Sequence, residues 1–333
     1  MGYTRTSHQT YNLMMHKLLI LSRDGLQYRT LIEKAVLPDL IFESTLSPEI
    51  DIVFGEPNLI KDALASLPDL IWVQANWAGV EPLLDPRLRR DYILTNARGV
   101  FGGLMSEYVF SYLLAHERRI FERAHAQVSK QWDSSTTGTL RGKTIGLLGV
   151  GSIGAEVART AKFFGMTVRG YTRVSETSTH VDKYFHPYLE SNRLLFNMQE
   201  QAPSLQSFAN GLDYLISILP NTNDTRKIIN ADLLNTLPSH AIFINVGRGQ
   251  AVDESALIEA LNQNKIAGAV LDVFEQEPLP KEHPFWATPN LLMTFHTSAP
   301  SLPEDIAKLF IENYLLFNAG KSLMYQVDFE RGY

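Results

Sequence analysis

Thr144-Ile145-Gly146-Leu147-Leu148-Gly149-Val150-Gly151-Ser152-Ile153-Gly154 decides the fold of this chain. Residues 144–148 read as a short buried strand, and the glycines as a tight turn. Ile153, Val157, Ala161 and Phe164 then share one face of a helix. Gly165 closes that helix, and residues 166–171 read as the next strand. A strand, a G-x-G-x-x-G turn, a helix and a second strand about 20 residues on form a unit suited to a dinucleotide. Gly149 allows the tight turn, Gly151 lets the backbone approach a pyrophosphate, and Gly154 lets helix and strand pack closely. The helix start, with Ser152 and Ile153, offers N–H groups and a positive dipole end to phosphate. The competing reading is a tight βα turn that binds nothing.

Outward from this unit the alternation continues. Before it, the runs 18–21, 51–55, 70–74 and 92–95 read as buried strands ending in turn residues. After it come 214–219, 241–246, 268–274 and 291–295. Strands alternating with helical stretches imply βα units and parallel sheets, so the fold class is α/β with two doubly wound domains. A helical pattern from about Ser106 carries Val109, Tyr112, Leu113 and His116 on one stripe and is long enough to bridge two domains. The last helix starts after Ser301, with Pro303 and two acids in its first turn, and stops near Gly320. Periodicity leaves open whether that helix completes the first domain. Residues 1–15 read as a tail, with Met15 as a second candidate start, and 186–203 as a surface loop.

The bulk numbers set limits. A length of 333 residues suggests two domains, at roughly 150 residues each. A net charge of −6 and the lack of a dense basic run argue against nucleic acid. Local arginines can still draw an anionic substrate into a cleft. The absence of cysteine excludes disulfides, Cys-ligated zinc and thiol nucleophiles, and no metal site is expected. The polar start has no signal-peptide core, and no apolar run is long enough for a membrane span, so a cytoplasmic location is expected.

Three residues after predicted strands carry the chemistry. Arg248 lies between Gly247 and Gly249 at the end of strand 241–246, where open α/β sheets place ligands. Flanking glycines let the backbone turn sharply and leave the guanidinium room for a bidentate grip on a 2-oxo acid. His296 can protonate a developing alkoxide if a carboxylate keeps it charged, and Glu277 is the candidate. Glu275 competes, but Pro278 fixes a turn better suited to holding Glu277. The other eight histidines lack comparable context. The strand that follows the glycine turn ends in Tyr171-Thr172-Arg173, with no carboxylate to grip a ribose 2′-hydroxyl. Thr172 tolerates a 2′-phosphate and Arg173 can pair with it, which favours NADP(H), with NAD(H) possible.

These residues resemble the D-isomer-specific 2-hydroxyacid dehydrogenase family. The likeness runs from Leu18 nearly to the end and is most specific at 149–154, 244–249, 271–280 and 283–296. Residues 74–80 and 100–107 most resemble the glyoxylate/hydroxypyruvate reductase branch. The resemblance implies that Arg248 holds the substrate, His296 donates the proton and Glu277 orients and charges His296. It implies substrate contacts from the backbone N–H groups of Trp77, Ala78 and Gly79. It also implies cofactor contacts from Met105, Leu219, Pro220, Asn245 and Asp272. A Rossmann cofactor domain at 106–296, inserted in a flavodoxin-like substrate domain at 16–105 plus 297–333, and a homodimer are further implications. Phe295, where the family commonly has proline, and Thr297-Ser298-Ala299-Pro300 depart from the pattern and bear on substrate choice. Two rivals stand beside this reading: a dinucleotide-sensing partner protein on the same fold, and a formate- or phosphite-oxidising relative.

Overall fold

The computed structural model describes residues 15–173, 176–187 and 205–332. The tail reading of 1–15 and the loop reading of 186–203 therefore fall outside the described residues, except at Met15, His186 and Pro187. The chain divides into two compact units, with breaks after Arg98 and after Pro300.

In the first unit, strands β1 (His16–Leu21), β2 (Leu40–Glu43), β3 (Ile52–Gly55), β4 (Trp72–Ala75) and β5 (Ile93–Thr95) alternate with helices α1 (Gly25–Glu33) and α2 (Pro57–Ala63). They form a five-stranded sheet in the order β2-β1-β3-β4-β5, parallel throughout. That is the flavodoxin-like order. Every residue of β3 and β4 is buried, as strands covered on both faces require. The C-terminal helix Pro303–Asn318 packs on this sheet: Phe310 stacks on Trp72 at 5.2 Å and meets Phe54 edge-on at 5.4 Å. Asn313, fully buried, donates to Gln74 Oε1 at 2.9 Å and accepts from Met324 N–H at 2.8 Å. The helix thus completes the first unit, a choice that periodicity left open.

The second unit runs α3 (Gly102–Glu117), α4 (Ile120–Val128), β6 (Thr144–Leu148), α5 (Ser152–Phe163), β7 (Thr167–Tyr171), β8 (Lys183–Phe185) and α6 (Leu205–Ala209). It continues with β9 (Tyr214–Ser217), α7 (Ala231–Thr236), β10 (Ile242–Asn245), α8 (Glu254–Asn262), β11 (Gly268–Leu271) and β12 (Leu291–Met293). The seven strands lie in the order β12-β11-β10-β9-β6-β7-β8, all parallel. Strand order reverses at β6, so the glycine turn leaves the sheet at its switch point, where such sheets bind ligands. Leu215, Phe243 and Leu271 fill the core on one face, and Ile145, Ile216 and Ile244 on the other.

Three differences from the sequence reading have physical causes. β2 and β8 were not expected: both are short edge strands, four and three residues long, and β8, Lys183-Tyr184-Phe185, has no apolar run. The helical stretch from Ser106 does not bridge two domains. It breaks at Arg119, whose φ is +53°, and α3 lies wholly within the second unit. On α3, Ser106 bonds Thr160 at 2.7 Å and Phe110 stacks on Phe164 at 5.3 Å, while His116 faces outward. The unit break therefore precedes α3 instead of falling at 105/106. The second break falls after Pro300, not at 296/297, because Thr297 and Ser298 are bonded to Asp272. Among the described residues no helix is long and apolar enough to cross a membrane.

Candidate active site

The glycine turn begins at Gly149, in the left-handed region at φ +96°, with its N–H bonded to Tyr171 O at 2.9 Å. A Cβ on Gly154 would lie 2.4 Å from Gly149 O, so only glycine lets α5 sit this close to the turn. No side chain caps α5. Its first turn of N–H groups is left for an outside acceptor, which fits a pyrophosphate. Leu219 is buried in the core below and Pro220 is exposed, while Met105 is partly buried against the opposite core cluster.

At the end of β7, Thr172 is buried and Arg173 is half exposed, with its guanidinium 3.4 Å from Asp224. Behind them His186 donates to or accepts at two places, Thr172 O at 2.8 Å and Glu176 Oε1 at 2.7 Å.

Arg248 follows β10. The turn that presents it is tied by Asn245, fully buried, whose amide donates to Arg248 O at 3.0 Å and accepts from Gly247 N–H at 3.2 Å. Neither flanking glycine has a positive φ. Their reason is close approach instead of turning: a Cβ on Gly247 would lie 2.6 Å from Leu219 backbone, and one on Gly249 1.8 Å from Phe274 C. Gly249 thus lets the Arg248 loop touch the backbone of the loop that carries Glu277.

That loop follows β11. Glu277 Oε1 accepts from Phe274 N–H at 3.0 Å, and Oε2 meets His296 Nδ1 at 2.7 Å. Glu275 does not reach His296; it pairs with Arg226 at 3.1 Å. The Glu277 hydrogen bond raises the pKa of His296 above its ordinary value; burial opposes this, and the Glu277 charge adds to it. Burial works against the charge of Glu277, but bonds from His296 and from Phe274 N–H outweigh it and hold its carboxyl low. The Arg248 charge reaches both groups and lowers both. Cation, carboxylate and imidazole are therefore gathered by the ends of β10, β11 and β12.

His296 sits at φ +56°, a backbone state that costs a non-glycine residue about 1–3 kcal/mol. Asp272 holds it there. The Asp272 carbonyl accepts from His296 N–H at 2.7 Å, and its fully buried carboxylate accepts from Thr294 Oγ1, Thr297 N–H and Ser298 N–H. Because Thr294 gives its only hydrogen to the carboxylate, Tyr108 on α3 must donate to Thr294, at 2.7 Å. Burial raises the Tyr108 phenol well above its ordinary pKa, which keeps it a donor. Tyr108 and Thr294 escaped the sequence reading because a hydroxyl pair separated by 186 positions has no local signature.

A carboxylate neighbour does not by itself single out His296. Among the described residues His16, His186, His240 and His283 also lie beside acids. His240 is also exposed while paired, at 60%; what sets His296 apart, at 54%, is that it meets Glu277 where the Arg248 charge also reaches it. In the first unit, Trp77 O accepts from Ala97 N–H and Ala78 O from Asn96 Nδ2, at 3.0 and 2.8 Å. The N–H groups of Trp77, Ala78 and Gly79 donate to nothing among the described residues.

Comparison with known proteins shows what the chain is similar to. The family model described as "D-isomer specific 2-hydroxyacid dehydrogenase, NAD binding domain" matches residues 110–298. A glyoxylate/hydroxypyruvate reductase A of Yersinia enterocolitica is 34% identical over 280 residues, covering 82% of this chain and 85% of that protein. A family protein from Aeromonas salmonicida is 39% identical and superposes with TM-score 0.84, covering 95% of this chain and 99% of its own. Another from Xanthobacter autotrophicus Py2, crystallised with NADPH and MES, is 31% identical with TM-score 0.83, covering 96% of this chain and all of its own. The fold and these likenesses agree, and the chain belongs to the D-isomer-specific 2-hydroxyacid dehydrogenase family.

Proposed function

We propose that the protein reduces a small 2-oxo acid, of the glyoxylate or hydroxypyruvate kind, to the D-2-hydroxy acid, using NADPH in preference to NADH. The observation that carries this reading is the paired but exposed His296, 2.7 Å from Glu277 and within reach of the Arg248 charge, in the unit that also carries the glycine turn. The NADPH-bound relative and the reductase from Yersinia support the same choice of cofactor and substrate class.

When bound, NADPH supplies a hydride to the carbonyl carbon. Arg248 binds the substrate by its carboxylate and carbonyl, and its fork fixes their orientation. With Nδ1 bonded to Glu277, His296 delivers a proton from Nε2 to the carbonyl oxygen, which becomes the hydroxyl of the product. Glu277 keeps His296 charged for that step and steadies its ring. The α5 N-terminus, with Gly149, Gly151, Ser152, Ile153 and Gly154, holds the pyrophosphate. Thr172 and Arg173 receive the 2′-phosphate. Met105, Leu219 and Pro220 line the rest of the cofactor's path, and Asn245 and Asp272 shape it by holding the Arg248 and His296 loops. The unsatisfied N–H groups of Trp77, Ala78 and Gly79 suit a carboxylate. A cytoplasmic homodimer completes the proposal, and Ile120, Phe121, Val128 and Trp132, 51–95% exposed, offer apolar surface for a partner copy.

The test follows absorbance of the reduced nicotinamide while purified protein meets NADPH or NADH and a panel of 2-oxo acids. Turnover of at least one acid is expected, faster with NADPH, and His296→Ala should abolish it without weakening NADPH binding. If no 2-oxo acid is reduced with either cofactor, the proposal fails. Cofactor-dependent association with another protein in place of turnover would favour a sensor. Light scattering on the eluting protein reads the assembly state.

A further inference from the structure

Glu254 opens α8, where a carboxylate suits the positive end of a helix. Both of its oxygens are engaged: Oε1 accepts from Glu275 N–H at 3.1 Å, and Oε2 lies 3.2 Å from His283 Nε2. The Glu254 and His283 side chains are mostly buried, at 17% and 20% exposure. His283 Nδ1 accepts from Phe285 N–H at 3.3 Å, so the ring hydrogen sits on Nε2, the nitrogen beside Glu254. One carboxylate thus meets both ends of the loop that carries Glu277: it accepts from Glu275 N–H at the entry and lies beside the His283 ring at the exit.

The entry matters for the chemistry. Phe274 and Glu275 present consecutive N–H groups. The first donates to Glu277 Oε1 and the second to Glu254 Oε1. Two neighbouring amides are shared between two carboxylates, and this division leaves Glu277 Oε2 for His296. Without Glu254 the Glu275 amide loses its acceptor, and Glu277 Oε1, already bonded to the adjoining Phe274 amide, is the carboxylate of the same turn. Gln250, donating to Glu275 O at 3.2 Å, and Arg226, paired with the Glu275 side chain, hold the peptide from its other sides but leave that N–H unsatisfied.

We propose that Glu254 is a positioning residue for Glu277, and through it for His296, with His283 holding Glu254 in place. The role rests on the reading of His296 as proton donor. The charged groups facing His296 are Glu277, Arg248 and Asp272, and those around Glu254 are Glu275 and His283, so Glu254 acts on His296 only through the loop. Loss of Glu254 diverts part of the Glu277 carboxylate to the Glu275 amide, and His296 gives up its proton at lower pH.

The test is the imidazole titration of His296 by NMR in the full-length protein, its signal assigned by its loss in His296→Asn. In Glu254→Ala the titration midpoint should fall by about 0.5 pH unit or more. Glu254→Gln keeps an oxygen for the Glu275 amide and should recover most of that fall. The pH profile of kcat/KM should move with the midpoint while NADPH affinity stays within about twofold of wild type. A Glu254→Ala protein that titrates like wild type, whatever its thermal stability, overturns the proposal. If that variant does not fold, His283→Ala, which lets the Glu254 carboxylate swing away, carries the same expectation. The NMR titration needs no substrate, so inactivity toward every 2-oxo acid would sink the proposed function and leave this result standing.

Discussion

Glu277→Gln removes one charge beside His296 and keeps the shape of the side chain. Opposite unit charges about 4 Å apart are worth about 4 kcal/mol at an effective dielectric near 20 and about 1 kcal/mol in water. The two side chains are 54% and 36% exposed, so solvent screening pulls the figure down, to about 1–2 kcal/mol. At about 1.4 kcal/mol per pH unit, His296 should lose its proton about one unit lower in the variant. The sign follows from the reaction. On the proposed reading reduction needs charged His296, so its rate falls as pH rises through the His296 pKa, which Glu277 raises. The variant should show the same fall, beginning about one unit earlier. Oxidation of the hydroxy acid needs neutral His296, and its rise with pH should move down equally. The assay is kcat/KM for glyoxylate reduction with NADPH from about pH 5 to 10, with NADPH affinity followed by nicotinamide fluorescence as control. An alkaline limb at the same pH in both proteins would refute the role given to Glu277.

Other outcomes can be checked alongside. Arg173→Ala should weaken NADPH about tenfold in a fluorescence titration and leave NADH nearly unchanged, since only the former carries the 2′-phosphate. Gly249→Ala places a Cβ 1.8 Å from the Phe274 carbonyl carbon, which should cost on the order of 1–3 kcal/mol in urea unfolding and lower turnover as both loops shift. Asp272→Asn replaces a buried carboxylate that accepts from three donors. Urea unfolding should register a loss of about 1–3 kcal/mol, with kcat reduced more than KM is raised.

Local chemistry with a fixed period was legible in the sequence. The glycine turn, strand β6 and the first turn of the C-terminal helix each announce themselves through residues adjacent in the chain. Edge strand β8, Lys183-Tyr184-Phe185, lacks an apolar run to mark it, whereas β2, with Leu40-Ile41-Phe42, carries one as long as that of the edge strand β5, which was read. Whether the C-terminal helix belongs with the first sheet was invisible too. It depends on Phe310 meeting Trp72 and Asn313 meeting Gln74, pairs 238 and 239 positions apart in the chain. The carboxylate nearest His296 was readable because Pro278 shapes the turn around Glu277. The hydroxyls of Tyr108 and Thr294, and the clasp of Glu254 on His283, were not, since nothing local tells which distant partner a polar side chain will meet. The reason for Gly247 and Gly249 also differed, because what they accommodate is another segment's backbone and not a bend in their own.

The contact at Gly249 has a mechanical meaning. With no side chain between its Cα and the Phe274 peptide, the loop that carries Arg248 and the loop that carries Glu277 cannot be displaced independently. An insertion that re-aimed Arg248 would drag Glu277 with it and detune His296. A lineage or an engineer seeking a new acid has little room inside this pair of loops. On the proposed reading, variation in substrate range comes from side chains elsewhere around the substrate, and these two loops are inherited as one part.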